Sequence, residues 1–238
     1  MKMKDLKTIC DNHHLNIALL LKKHEIPDQI NQSLARDIGY STSNLLDFKS
    51  VILIGSGGRS FWEKFQDEIH GSSKTSADPI DDICIRFFND NFSNENHTLI
   101  YPNKNFHFDI LSLSSLLNFS SPSPLGLHIN RDFGTWFAFR LVILSNVEYE
   151  SSDKLDFFSP CLTCIDKPCL SACPAGATSL EKFNLKSCSD YRSKPDSACQ
   201  RHCFSRRACP FQSQNSYSEK QLSYHMMHSY KLMLDLGD

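Results

Sequence analysis

The sequence lacks any apolar run near the length needed to cross a bilayer. Its opening residues, MKMKDLKTICDNHH, lack the apolar stretch and small-residue cleavage site of a secretory signal. An excess of one charge is missing as well: 25 Lys and Arg face 27 Asp and Glu, for a formal net charge of −2. A complete dinucleotide fingerprint is also lacking. Gly55, Gly57 and Gly58 follow a short β-branched run in SVILIGSGG, but the third glycine of GxGxxG is absent. No acidic residue closes a second strand about 20 residues further on, so the expected reading is a tight turn. These absences lead us to expect a cytoplasmic protein with no membrane segment. In a reducing compartment its ten cysteines are not expected to pair as disulfides. The sequons at Asn31, Asn91, Asn96 and Asn118 then read as ordinary surface asparagines.

The first 150 residues carry enough patterned apolar sequence for a core. Residues 5–40 have apolar positions at helical spacing, broken at Pro27. SVILIGSGG reads as a buried strand, SFWEKFQDEIH as a helix, and GSSKTSADP as a loop. DPIDDICIRFFNDNF reads as a helix started by the aspartate before Pro79. HTLIYPN and FHFDILSLSSLL read as a strand and a further helix or strand, and TWFAFRLVILSNVEY as a strand of a buried sheet. EYESSDKLD is a polar linker, and SYSEKQLSYHMMHSYKLMLDL closes the chain as a helix. The expected class is α+β. An α/β domain over residues 1–150 precedes a cysteine-rich module over 151–214 and a C-terminal helix over 215–238.

Cys10 and Cys84 stand apart, and the other eight cysteines fall between 161 and 209. The spacing is Cys161-x2-Cys164-x4-Cys169-x3-Cys173-Pro174, then Cys188 alone, then Cys199-x3-Cys203-x5-Cys209-Pro210. This segment has little apolar periodicity, so a bound metal group must supply part of its core. Ferredoxin-type chains bring three cysteines to one four-iron cluster from a short run. The cysteine before the proline serves the other cluster. Read this way, Cys161, Cys164, Cys169 and Cys209 ligate one cluster, and Cys173, Cys188, Cys199 and Cys203 the other. The competing reading is zinc, which two close cysteine pairs can hold. Zinc does not call for Cys-Pro twice, and two zinc ions would need a different pairing. His202, His225 and His228 are weaker metal candidates, and a packed or solvated helix face is the simpler reading for the last two. Lys182, Lys186, Arg192, Lys194, Arg201, Arg206 and Arg207, opposed by Asp190 and Asp196, could balance the charge of thiolate-bound clusters. A solvated basic face, or docking to an acidic partner or nucleic acid, are the alternatives.

CLTCIDKPCLSACPAGA resembles the four-iron ferredoxin signature, and CSDY with CQRHCFSRRACPF resembles the split second half found in epoxyqueuosine reductases and reductive dehalogenases. SPLGLHINRDFGTWFAFRLVIL resembles the segment before the clusters in the former family and, more closely, bacterial ferredoxin-like proteins of similar length. The resemblance implies two [4Fe-4S] clusters. By analogy with epoxyqueuosine reductase it also implies a cobalamin on the N-terminal domain. The sequence departs from that family in its shorter length, its missing C-terminal repeats and its wider second cysteine spacing, and no catalytic acid can be matched. Three functions follow. The first is electron transfer with a redox partner protein, without nucleic acid. The second is a cobalamin- or flavin-dependent reductase fed by its own clusters. The third is a tRNA- or protein-binding module in which the clusters are structural.

Overall fold

The computed structural model describes residues 3–28, 30, 48–72, 76–102 and 109–235. It mixes helices with antiparallel sheet. In chain order the strands are β1 (Ile17–Lys22), β2 (Ser50–Gly57), β3 (His97–Tyr101), β4 (Ser120–Pro122), β5 (His128–Asn130) and β6 (Phe137–Ser145). The helices are α1 (Met3–Asn12), α2 (Ser60–Ser72), α3 (Pro79–Phe92), α4 (Ile110–Leu116), α5 (Pro160–Thr163), α6 (Pro168–Ser171), α7 (Leu185–Arg192), α8 (Phe204–Ala208) and α9 (Glu219–Asp235). No helix among the described residues is long and apolar enough to cross a membrane.

The chain forms two compact units, Met1–Phe119 with Phe137–Asp156, and Ser120–Trp136 with Phe157–Asp238. The first is built on a sheet of order β1-β2-β6-β3 in which every neighbouring pair is antiparallel. All eight residues of β2 are buried. A run of Val51, Ile52, Leu53 and Ile54 needs cover on both faces, and helices α2 and α3 pack on the sheet. Each such side chain contributes roughly 1.5–3 kcal/mol on burial. Because β2 is antiparallel to both neighbours, its glycine-rich end does not open a parallel β-α-β unit. The expected tight turn is corrected: Gly55 and Gly57 are paired residues of β2 itself, and the chain bends only at Gly58, with φ 70°, before α2. Asn16 holds the end of the strand, accepting the Gly57 N–H at 2.8 Å and donating to its carbonyl at 3.2 Å.

The helix expected over residues 5–40 is corrected in part. Residues 3–12 are helical, but Ile17–Lys22 is a strand, and 31–40 lie outside the described residues. Leucine and alanine favour helix only weakly. Pairing in register with β2, from Ile17 opposite Gly55 to Lys22 opposite Ser50, overrides that preference. The expected helices at SFWEKFQDEIH and DPIDDICIRFFNDNF and the strands at SVILIGSGG, HTLIYPN and TWFAFRLVILS are present. Of GSSKTSADP, residues 73–75 are outside the described residues, as are 106–108 of FHFDILSLSSLL, which is helical over Ile110–Leu116. Asp78 stands at the start of α3 without a side-chain capping bond, Pro79 following at the first helical position.

The polar linker is tied down within the first unit. Ser152 exchanges hydrogen bonds with Leu20, its N–H reaching the Leu20 carbonyl and its hydroxyl accepting from the Leu20 N–H, both at 2.9 Å. The Ser151 hydroxyl accepts from the Lys22 N–H at 3.0 Å. The segment thereby covers the free edge of β1.

Among the described residues the second unit has little sheet, the hairpin of β4 and β5. Its apolar side-chain core is small: Trp136, Tyr217 and Leu222, with Met226 against them. Residues 120–136, read from sequence with the first domain, group here with the cysteines. Helix α9 fulfils the expected C-terminal helix, residue 236 lying outside the described range.

Candidate metal centres

Cys161 sits in α5 and Cys164 at its end, where the Cys164 N–H bonds back to the Pro160 carbonyl at 3.1 Å. The chain then turns at Lys167, in the left-handed region with φ 39°, into α6, which carries Cys169. Pro160 and Pro168 each open a short helix at a position where no backbone donor is needed. Cys209 arrives from the far end of α8, followed by Pro210. These four cysteines line one cavity of about 630 Å³, with Pro124, Ile129, Phe157, Phe158 and Phe211 among its walls. Burial pushes the Cys161 thiol up to about 11, and the neighbouring Cys209, Cys169 and Cys164 add to it. Cys169 is raised by burial and then by Cys209 and Cys164. Thiols raised in this way need a positive group before they can act as thiolates.

Helix α6 ends at Ser171, so the chain changes direction between Cys169 and Cys173, and the two residues line different cavities. Cys173 joins Cys188 of α7, Cys199 of the 3-10 turn Ala198–Gln200, and Cys203 at the start of α8. Together they line a cavity of about 60 Å³. Helix α7 is started by Asn184, whose side chain accepts the Ser187 N–H at 2.9 Å. Burial raises Cys188 and Cys199; the other cysteines of the set add to the rise, and Arg192 opposes it. Cys173 moves the other way. Burial would raise it, but N–H groups of Ala177 (3.3 Å) and Ala175, the Ser205 hydroxyl and the Thr178 N–H bring it below the ordinary thiol range.

Cys161, Cys164, Cys169 and Cys209 thus line one cavity, and Cys173, Cys188, Cys199 and Cys203 another. Cys10 and Cys84 are buried in the first unit, and burial pushes both thiols up to about 12. Among the described residues no three His, Cys, Asp or Glu side chains converge closely enough to hold a single ion. Tetrahedral zinc requires four ligands at about 2.0–2.3 Å from one centre. A four-iron group is wider than a single ion, and thiols spread around a cavity leave room for it.

The expected basic residues are used unevenly. Arg206 is buried between the rings of Trp136 (4.5 Å) and Tyr217 (4.8 Å) and donates to the Thr135 carbonyl. Arg207 pairs with Glu219, and Lys186 with Asp190 at 2.7 Å. Arg192 alone of the group lines a cysteine cavity. The cation at the other cavity, Lys167, was missed from sequence because it lies outside the basic run; its ammonium donates to the Cys164 carbonyl at 2.6 Å. His225 and His228 stack among Tyr217 and Tyr224, a packed helix face, and His202 lies 3.4 Å from Glu219.

Gly126 and Gly134, the glycines of the stretch before β6, serve close packing. With φ at +68° and +61°, their missing side chains would meet the Phe183 ring and the Phe211 carbonyl, both at 2.7 Å. Phe183 lines the smaller cavity and Phe211 the larger. The aromatics that follow are core: Trp136 in the second unit, and Phe137 and Phe139 edge-to-face on β6.

The fold is that of epoxyqueuosine reductases. A selenomethionine-labelled epoxyqueuosine reductase superposes with a TM-score of 0.56 at 11% identity, over 92% of this chain and 68% of that one. The Bacillus subtilis epoxyqueuosine reductase, with its catalytic loop swung out of the active site, gives 0.55 at 10% identity over the same shares, 92% and 68%. An epoxyqueuosine reductase bound to an epoxyqueuosine-modified tRNA-Tyr stem loop gives 0.51 at 11%, again over 92% and 68%. The chain spans 66% of the Streptococcus thermophilus enzyme. No protein-family model and no curated protein matches the sequence.

Proposed function

We propose that this chain is a cytoplasmic iron–sulfur protein that holds two [4Fe-4S] clusters and transfers electrons to a redox partner protein. One observation carries this reading: the cysteines divide four and four between two cavities, each drawing ligands from both ends of the segment. Cys161, Cys164, Cys169 and Cys209 hold the first cluster, and Cys173, Cys188, Cys199 and Cys203 the second. The clusters, once bound, supply one-electron chemistry, and the protein supplies thiolates, N–H donors and Lys167 and Arg192 as cations. In this reading the unit of Ser120–Trp136 and Phe157–Asp238, with its helix Glu219–Asp235, is the electron-carrying module, and the unit of Met1–Phe119 and Phe137–Asp156 the domain for partner or cofactor recognition.

A second reading, a reductase fed by its own clusters, is favoured by the reductase fold. An organic cofactor such as a cobalamin or flavin is the group this reading requires. A nucleic-acid partner has one support, the tRNA stem loop bound by a neighbour of the same fold. The overall charge of −2 gives it no help.

Anaerobic reduction of the full chain separates the readings. Reversible bleaching of the visible absorption, with no corrinoid or flavin bound on titration, is the outcome for a carrier. Stoichiometric, tight uptake of either cofactor would replace the carrier with the reductase.

A further inference from the structure

Two side chains at the smaller cavity have a role that ligation alone does not explain. Arg192 is 6% exposed, yet among the described residues no carboxylate pairs with it. Its guanidinium donates to the Ser229 hydroxyl at 3.1 Å and the Met226 carbonyl at 2.6 Å, and its Nε is buried with no hydrogen-bond partner among the described residues. A buried cation that meets only neutral groups is costly unless an anion lies close by. Arg192 lines the cavity of Cys173, Cys188, Cys199 and Cys203. Ser205, 3% exposed, lines the same cavity as Cys173, whose sulfur accepts from the Ala177 N–H at 3.3 Å.

Resting on the two-cluster reading, we infer that the buried Ser205 hydroxyl donates to the Cys173 sulfur and that it and Arg192, on the same cavity, raise the reduction potential of the second cluster. Reduction adds one negative charge to a cluster. A hydrogen bond to a ligating sulfur and a desolvated cation both stabilise the more negative state. Neither residue ligates iron; both are positioning residues that act on the cluster through its sulfurs and its charge. At the other cavity the cation is Lys167, whose ammonium is already engaged by the Cys164 carbonyl.

The test is a mediated dithionite titration of the full-length, anaerobically reconstituted protein, followed by EPR. The second cluster's signal is the one that Cys188→Ser removes. Iron and sulfide are measured first in every variant; a wild type without clusters fails the two-cluster reading itself, separately from this inference. Ser205→Ala is expected to shift the second signal to a more negative potential and leave the first where it is, and Ser205→Thr to restore the wild-type value. Arg192→Gln is expected to shift the same signal in the same direction, Arg192→Lys less. Unchanged potentials in both Ser205→Ala and Arg192→Gln, or equal shifts of both signals, overturn the inference. If Ser205→Ala loses iron, Arg192→Gln alone decides by the same criterion.

Discussion

Gly134 and Phe211 meet backbone to backbone: a Cβ on Gly134 would stand 2.7 Å from the Phe211 carbonyl oxygen, and Gly134 holds φ at +61°. Phe211 lies two residues beyond Cys209 and lines the larger cysteine cavity. Gly134→Ala therefore combines a steric overlap with a left-handed backbone, and should destabilise the cysteine-rich unit by roughly 1–3 kcal/mol. Thermal melts of the loaded protein measure the loss, and iron release on heating should begin earlier than in wild type. An unchanged melt would mean that the contact relaxes without cost.

The interleaved division of ligands gives a sharper expectation. Cys173 and Cys169 are four residues apart but line different cavities. Cys173→Ser should remove the same spectroscopic signal as Cys188→Ser, and Cys161→Ser the same signal as Cys209→Ser. Each variant should retain about half the iron on the two-cubane pattern. EPR of the four reduced variants checks this. Pairing by sequence, with Cys161 and Cys173 losing the same signal, would refute the assignment.

Thiol reactivity in the metal-free protein follows from the surroundings of each sulfur. The thiolate is the reactive form, so a lowered Cys173 should alkylate ahead of Cys161, which titrates at about 11. Raising the pH towards 11 should close the gap as Cys161 ionises. Cys10 and Cys84, both at about 12 and fully buried, should stay unmodified while the fold persists. Timed iodoacetamide labelling with peptide mass spectrometry gives the order directly.

The eight cysteines of the two cavities are legible in the sequence because close cysteine spacing is a local signal that survives without any knowledge of packing. Cys-x2-Cys and the two Cys-Pro steps announce themselves; so do the β-branched run at Val51–Ile54 and the proline-started helix before Ile80. What escaped was decided by distant partners. Ile17–Lys22 has helical composition and becomes a strand only because β2 offers it a register. Residues 148–156 read as a free linker, yet Ser151 and Ser152 are held by β1, over a hundred residues earlier. Lys167 and Ser205 gave no pattern at all, since their importance lies in which sulfur or cavity they stand beside.

His97 makes the first unit sensitive to acid. Its ring is flanked by the Asn94 side-chain oxygen at 2.8 Å and the Tyr149 hydroxyl at 2.9 Å, and burial holds it below the ordinary imidazole range. The unfolded chain therefore takes up a proton that the folded chain refuses. As pH falls from the ordinary imidazole range towards the depressed folded value, stability is lost; above that range this contribution is constant. Urea unfolding of wild type should show that decline, and His97→Leu should flatten it. A variant with the wild-type pH slope would show that His97 is not the group responsible.

The central claim is that the two cysteine sets hold iron–sulfur clusters, and metal and sulfide analysis of the anaerobically purified, full-length protein tests it most directly. The account predicts iron and acid-labile sulfide each at about eight per chain on the two-cubane pattern. Stoichiometric zinc with no labile sulfide would contradict it.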